Sequence, residues 1–288
     1  MAYRLAVAAG VVFVILVSLF GWWKRQINNN GGEPAEPFRI AGNFYYVGTN
    51  DSAVFLITGP QGHVLLDGGR QGAAPLVIAS IATLGFDITD VKAIVNSDPL
   101  PDHAGAFATL KQSSGAALWA SAPSARAIAA GGDDPDMPLP VRALMRGGIA
   151  DYPPARVDHE LKDGDTVRVG PVALTAHITG GTTRGCTSWT FAVRDGDRVL
   201  NVVSACQFSG FSSTPYSGHD ADVERSLGLL RKLPVDIWVT SNGRPWGRYR
   251  KFAASRTMKN PVDAFIDRDG YQAFLDAAEA ELRTGVVH

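Results

Sequence analysis

Asn96-Ser97-Asp98-Pro99-Leu100-Pro101-Asp102-His103-Ala104-Gly105 sets two carboxylates and an imidazole within six residues, directly after residues 91–95, a short apolar run that reads as a buried strand. Upstream, residues 43–47, 53–57 and 63–66 are β-rich runs split by Gly, Asn and Pro, the pattern of an antiparallel meander. Residues 76–84 carry apolar side chains at helical spacing, so the order around the quoted stretch is β, then α, then β, then loop. The second half repeats that logic. Strands are expected at residues 167–169, 172–178, 188–193, 199–203 and 237–240, around a helix at 220–233. A last helix over 263–283 would turn Phe265, Phe274, Leu275 and Leu282 to the core. Two similar halves suggest two facing sheets with helices outside.

The chain has 288 residues, 45% of them hydrophobic, which is ample for a sizeable core and argues against disorder. With 27 basic against 28 acidic side chains there is no global electrostatic case for a nucleic-acid partner. The only cysteines, Cys186 and Cys206, have no zinc-finger spacing; one disulfide between them is left open. Residues 5–23 are free of charge and long enough for a membrane span, with Trp22, Trp23, Lys24 and Arg25 as interfacial anchors. Residues 24–37 then read as a linker, and 38–284 as the globular domain. Charge does not orient the span, because Arg4 and the terminal amine face Lys24 and Arg25 across it.

The quoted loop resembles the His-x-His-x-Asp-His motif of the metallo-β-lactamase superfamily. Other stretches are similar to the third subclass of class B β-lactamases: Tyr45-Tyr46-Val47-Gly48-Thr49, Gly62-His63-Val64-Leu65-Leu66-Asp67-Gly68-Gly69, Leu84-Gly85-Phe86, Gly115-Ala116, Gly185-Cys186-Thr187-Ser188-Trp189 and Phe265-Ile266-Asp267-Arg268-Asp269-Gly270-Tyr271. They occur in family order over residues 37–282, which makes their joint signal far stronger than any one of them. The resemblance implies an α/β (α+β) fold, the four-layer αβ/βα sandwich, preceded here by one transmembrane helix. By likeness to exported lactamases the soluble part is expected on the periplasmic side.

In that family two zinc ions activate a water against the lactam carbonyl, and the resemblance implies six ligand positions here. The first zinc would use Asp98, Leu100 and Thr182, where the family has three His residues. Leu100 has no donor atom and Thr182 is a weak neutral oxygen, so this site should not hold zinc. The second would use Asp102, His103 and Asn242, where the family has Asp, His and His, so two of its three ligands survive. Cys206 follows residues 199–203, where other subclasses supply a thiolate. Asp102, His103 and Cys206, with Asp98 as a fourth ligand, would then be a chemically sound set for one zinc.

Each assignment has a plainer alternative. Asp102, the candidate catalytic carboxylate, and His103 are ligands or remnants that hold the loop by backbone hydrogen bonds. Cys186 and Cys206 are ligands or small buried apolar groups. Asp67 braces the loop or only shapes a turn, and His177 supports the site or is a satisfied strand residue. Six basic residues over 244–259, with Trp246 and Tyr249, would take an anionic ligand or lipid headgroups if they are not simply a solvated rim. The altered ligands point to a non-catalytic homologue, a pseudoenzyme binding a small molecule in the old cleft, with no zinc or one weakly held. The alternative is a metal-dependent hydrolase of a β-lactam, lactone or ester with one altered site. A metal-independent enzyme is set aside, since no Ser, His and Asp combination has suitable spacing.

Overall fold

The computed structural model describes residues 18–19, 32–144, 146, 151–208 and 216–284. The expected membrane span lies outside them apart from Ser18 and Leu19; among the described residues no helix is long and apolar enough to cross a membrane.

One sheet runs β1 (Phe38–Ala41), β2 (Phe44–Tyr46), β3 (Phe55–Ile57), β4 (His63–Leu66), β5 (Val91–Val95), β6 (Ala117–Ser121), β7 (His159–Leu161), in sequence order. Its first four strands form an antiparallel meander, and its last four pair in parallel. The change of sense follows from the connections: tight turns join antiparallel neighbours, whereas α1 (Ala74–Thr83) makes the crossover between β4 and β5. The second sheet has the order β12 (Ile237–Thr240), β11 (Arg198–Ala205), β10 (Thr187–Asp195), β9 (Val172–Ile178), β8 (Thr166–Val169). Only the β11–β12 pair in it is parallel, and α6 (His219–Leu230) supplies that crossover.

Both faces of β3 and β4 in the first sheet are buried, and their side chains sort by the two-residue period of a strand. Phe55 and Ile57 of β3, with Val64 and Leu66 of β4, join a core shared with Trp189, Phe191, Val193 and Val202 of the second sheet. The intervening Leu56 and Leu65 face the other way, onto Val77 and Ile81 of α1 and Phe107 and Leu110 of α3 (Phe107–Ser114). On the outer side of the second sheet, Trp238 of β12 stacks on Phe274 of α8 (Arg268–Thr284) at 5.2 Å between ring centroids. The result is helix, sheet, sheet, helix, the expected sandwich.

The structure corrects several expected boundaries. The last helix begins at Arg268 instead of residue 263, because residues Pro261–Phe265 form a 3₁₀ turn and Asp267 caps the helix, its Oδ1 accepting the Gly270 N–H at 3.0 Å. Leu275 is fully buried there and Phe265 nearly so, while Phe274 and Leu282 are partly buried against the same core. The quoted loop contains one helical turn, α2 (Pro101–Ala104), started by a proline at its first position. Strands β1, β6 and β7 and helices α3, α4 (Ala122–Ala129), α5 (Leu139–Leu144) and α7 (Arg248–Ser255) were not anticipated.

Phe44 tests the sheet-on-sheet contact. Its ring is fully buried, 5.4 Å from Phe55 on its own sheet and edge-on to Phe191 of the other at 5.0 Å. Phe44→Ala should lower unfolding free energy by about 3–5 kcal/mol in chemical denaturation, whereas a loss near zero would mean that the two sheets do not meet there.

Candidate functional site

The site grows from the ends of β4 and β5. After Leu66 the chain turns through Asp67 at φ 63°, a left-handed conformation that Asp tolerates better than most residues. The buried Asp67 carboxylate is the fixture this turn presents. Its Oδ1 accepts the Ser97 N–H at 2.8 Å and its Oδ2 the Ser97 hydroxyl. The Gly68 and Gly69 N–H groups both donate to the His103 carbonyl, at 2.8 and 3.1 Å. Gly105 closes the loop so tightly that a Cβ there would lie 2.5 Å from the Pro101 carbonyl oxygen. Residues 96–105 are thus held from both ends.

His103, only 3% exposed, faces carboxylates with both ring nitrogens: Nδ1 is 3.6 Å from Asp67 Oδ2 and Nε2 is 3.4 Å from Asp102 Oδ2. Burial works to lower its proton affinity, but Asp102, Asp67 and Asp98 together outweigh that and raise it. Burial also holds protons on the carboxylates, pushing Asp67 up to about 6 and Asp98 up to about 7. Asp67 holds the loop through Ser97, and among the described residues no hydrogen bond joins it to His103.

The side chains at the positions where the resemblance expects ligands have partners of their own. Asp98 is 2% exposed; its Oδ1 accepts the Leu100 N–H at 2.9 Å and its Oδ2 accepts the Thr183 hydroxyl at 3.3 Å. Thr182 gives both its N–H and its hydroxyl to the Gln207 carbonyl, at 3.0 and 2.9 Å. The Asn242 side-chain oxygen caps the turn it starts, accepting the Arg244 N–H at 3.1 Å. Leu100 packs as an apolar side chain at 9% exposure. His177 Nε2 meets Thr190 Oγ1 at 2.9 Å across β9 and β10, so its ring is engaged within the sheet.

Cys206 departs from the ligand set proposed for it. It is disulfide-bonded to Cys186, the pairing that the sequence left open, and the sulfurs lie beside Asp98 instead of joining Asp102 and His103. Among the described residues, Asp98, Cys186 and Cys206 are the group of three whose ligand atoms lie within 4.8 Å of one another, and while the sulfurs are bonded to each other neither is a thiolate. No third His, Cys, Asp or Glu of the described residues joins Asp102 and His103 at that spacing. A two-zinc centre does not fit these residues: one site has no surviving His, and the other keeps two ligands and an amide already capping a turn.

Asp102 and Asn242 do share a cleft of about 500 Å³, lined also by Asn50, Asp51, Arg70, Arg244 and Tyr249. Among the described residues neither Arg70 nor Arg244 has an ion-pair partner. Nor is the basic segment a uniformly solvated rim. Arg248 is 3% exposed, with its guanidinium 3.9 Å over the Tyr249 ring and Nη2 donating to Asn50 Oδ1 at 2.9 Å; Lys251 and Trp246 are buried as well. Arg70 was missed by the sequence reading, although the turn at Asp67-Gly68-Gly69 aims the next residue at the rim.

Residues 47–200 match the family model of the metallo-beta-lactamase superfamily. Among solved structures, the Rm3 metallo-beta-lactamase is 38% identical, covering 91% of this chain and 96% of its own, with a TM-score of 0.80. The class B3 di-zinc metallo-beta-lactamase LRA-12 from an Alaskan soil metagenome is 32% identical, covering 87% and 94%, with a TM-score of 0.77. A metallo-beta-lactamase of Cronobacter sakazakii described by a HARLDQ motif is 32% identical, covering 93% and 97%, with a TM-score of 0.78. Sheet order, the loop after β5 and these likenesses agree that the chain belongs to the metallo-beta-lactamase superfamily, among neighbours of class B3.

Proposed function

We propose that this chain works as a binding protein on the lactamase frame, taking a small polar molecule with an anionic group into the cleft above Asp102 and Asn242 without a two-zinc centre. One observation carries this reading: the side-chain oxygens of Asp98, Thr182 and Asn242 are engaged in internal hydrogen bonds, and Leu100 has no polar side-chain atom to offer. The ligand class follows from Arg70 and Arg244, two guanidinium groups at the cleft wall suited to a carboxylate or phosphate. The HARLDQ motif of the Cronobacter neighbour also departs from His-x-His-x-Asp-His at two of its positions, so such departures occur elsewhere on this fold.

A second reading keeps a hydrolase with one altered, weakly held zinc. It is favoured by Asp102 and His103, which stand 3.4 Å apart with Asp102 on the cleft wall. With two protein ligands, zinc would be held far below the strength of a three- or four-ligand site. On sequence grounds alone, residues 5–23 are proposed to anchor the chain in a bilayer with the domain on the periplasmic side.

Metal analysis separates the readings. Purified with its disulfide intact, the chain should carry far less than one zinc per molecule, and a chelator should leave its melting temperature unchanged; stoichiometric zinc would instead establish the hydrolase reading. Replacing Asp98, Leu100, Thr182 and Asn242 together by His should restore zinc binding by calorimetry before any turnover of a chromogenic β-lactam appears, because turnover also needs supporting hydrogen bonds worth about 10- to 100-fold.

A chain without zinc should also show its buried acids in its pH profile. Asp98 binds its proton up to about pH 7 when folded, against about 3.9 for an unfolded Asp. The folded state therefore holds the extra proton between those values, and stability falls as pH rises through that window, then levels. Asp98→Asn keeps an acceptor for the Leu100 N–H and removes the titration. Its denaturation midpoint should fall less than wild type between pH 5 and pH 8; parallel curves would contradict the assignment.

A further inference from the structure

Asp98 is placed where a purely structural disulfide would not need it. Its Oδ2 lies 3.3 Å from Cys186 Sγ and 3.8 Å from Cys206 Sγ, and all three residues are buried. A bonded pair of sulfurs has no proton to give a carboxylate and no charge to balance it. The hydrogen bonds the carboxylate does accept come from the Leu100 N–H and the Thr183 hydroxyl, and neither requires it to face the sulfurs. The distances match something else. Around a tetrahedral zinc, with Zn–S of about 2.3 Å and Zn–O of about 2.0 Å, ligand sulfur and oxygen lie about 3.5 Å apart. The Asp98 oxygen already sits at about that separation from both sulfurs.

The surroundings support the same geometry. The Cα atoms of Cys186 and Cys206 are 5.8 Å apart. Two ligand sulfurs on one zinc stand about 3.8 Å apart, which side-chain rotation can reach from such a frame. Thr183 donates its hydroxyl to the same Asp98 oxygen at 3.3 Å, a partner that orients a ligating carboxylate. The Ser97 carbonyl lies 3.3 Å from Cys206 Sγ and the Gln207 carbonyl 3.5 Å from Cys186 Sγ, acceptors ready for thiol protons in the reduced, metal-free state.

We propose that Asp98, Cys186 and Cys206 form a redox-gated metal site, closed as the disulfide and, after reduction, holding one thiophilic divalent cation such as Zn²⁺. The chemistry balances with a dithiol as reductant. One dithiol gives two electrons and two protons, the Cys186–Cys206 bond breaks to two thiols, and the dithiol becomes a cyclic disulfide. The cation then replaces both thiol protons, and the Asp98 proton where one is present, and all are released to solvent. Two thiolates and a carboxylate carry three negative charges, of which the cation cancels two. This site is separate from the cleft, so the small-molecule reading stands or falls independently.

The test uses the full chain. It is reduced with a water-soluble phosphine, desalted without oxygen, and titrated with Co²⁺, whose thiolate charge-transfer absorption reports the sulfurs directly. One equivalent per chain should bind after reduction and be displaced by Zn²⁺, and the oxidised chain should show no such band. Cys206→Ser should lose most of the band, and Thr183→Val should weaken binding by about 10- to 100-fold while leaving the oxidised chain's melting temperature near that of wild type. If the reduced chain loses its circular-dichroism signature, recovery of that signature on adding Zn²⁺ supports the site and failure to recover overturns it. Three other results overturn it: no charge-transfer band after reduction, a Cys206→Ser variant that binds as well as wild type, or an oxidised chain that binds Co²⁺ equally tightly.

Discussion

Ser97 is the point at which the two sheets are fastened to each other. Its N–H and hydroxyl are both given to the buried Asp67 carboxylate, which ties the end of β5 to the end of β4. Its carbonyl accepts the Thr187 N–H at 2.7 Å, and the carbonyl of Asn96 accepts the indole N–H of Trp189 at 3.1 Å, so the next bonds reach across to β10. Each of these groups is buried, and an unmade bond there would carry its full desolvation penalty. The left-handed turn at Asp67 is tolerated because this network over-determines it.

The positions at which the family resemblance expects metal ligands lie on or beside this seam, and the polar side chains found there have partners within the protein. In a zinc site the ligand atoms are satisfied by the metal; without it, a buried polar atom needs another partner. Asp98 has the Leu100 N–H and the Thr183 hydroxyl, Thr182 has the Gln207 carbonyl, and Asn242 caps its own turn. The frame survives because it rests on Asp67, Ser97 and the apolar interior between the sheets. His103 is the exception. Its Nδ1 has no hydrogen bond among the described residues, and carboxylates stand close to both its ring nitrogens.

Much of the architecture was legible because the strands His63–Leu66, Val91–Val95, Val172–Ile178 and Ile237–Thr240 are apolar runs with clear turn signals around them. Strand β6 was not, since its Ala, Leu, Trp, Ala, Ser composition carries no strand signature until neighbours cover both faces. The edge strand β7, His-Glu-Leu, is mostly exposed and carries even less. The disulfide was within reach of the sequence. Asp195-Gly196-Asp197-Arg198 is a hairpin turn, and counting back from it pairs Asp195 with Arg198 and Trp189 with Ser204. The same count sets Cys186 and Cys206 almost opposite each other just beyond the ladder. The burial of Arg248 and Lys251 was not legible, because both depend on rings and polar side chains brought in from other parts of the chain: Tyr46 and Asn50 for one, Trp238 and Asp267 for the other.

Asp98 joins the two parts of the site through its two oxygens. Oδ1 fixes the Leu100 N–H, and Leu100 is the residue from which the turn Pro101–Ala104 starts; that turn carries both Asp102 and His103. Oδ2 faces the Cys186 and Cys206 sulfurs. A short, close-packed helical turn does not deform by small degrees, since its proline start and the Gly105 contact leave little space to yield. A change of state at the sulfurs that rotates the Asp98 carboxylate must therefore either break the Leu100 bond or move the turn as a unit. In the first case the turn stays where it is; only in the second does the change carry Asp102 on the cleft wall with it.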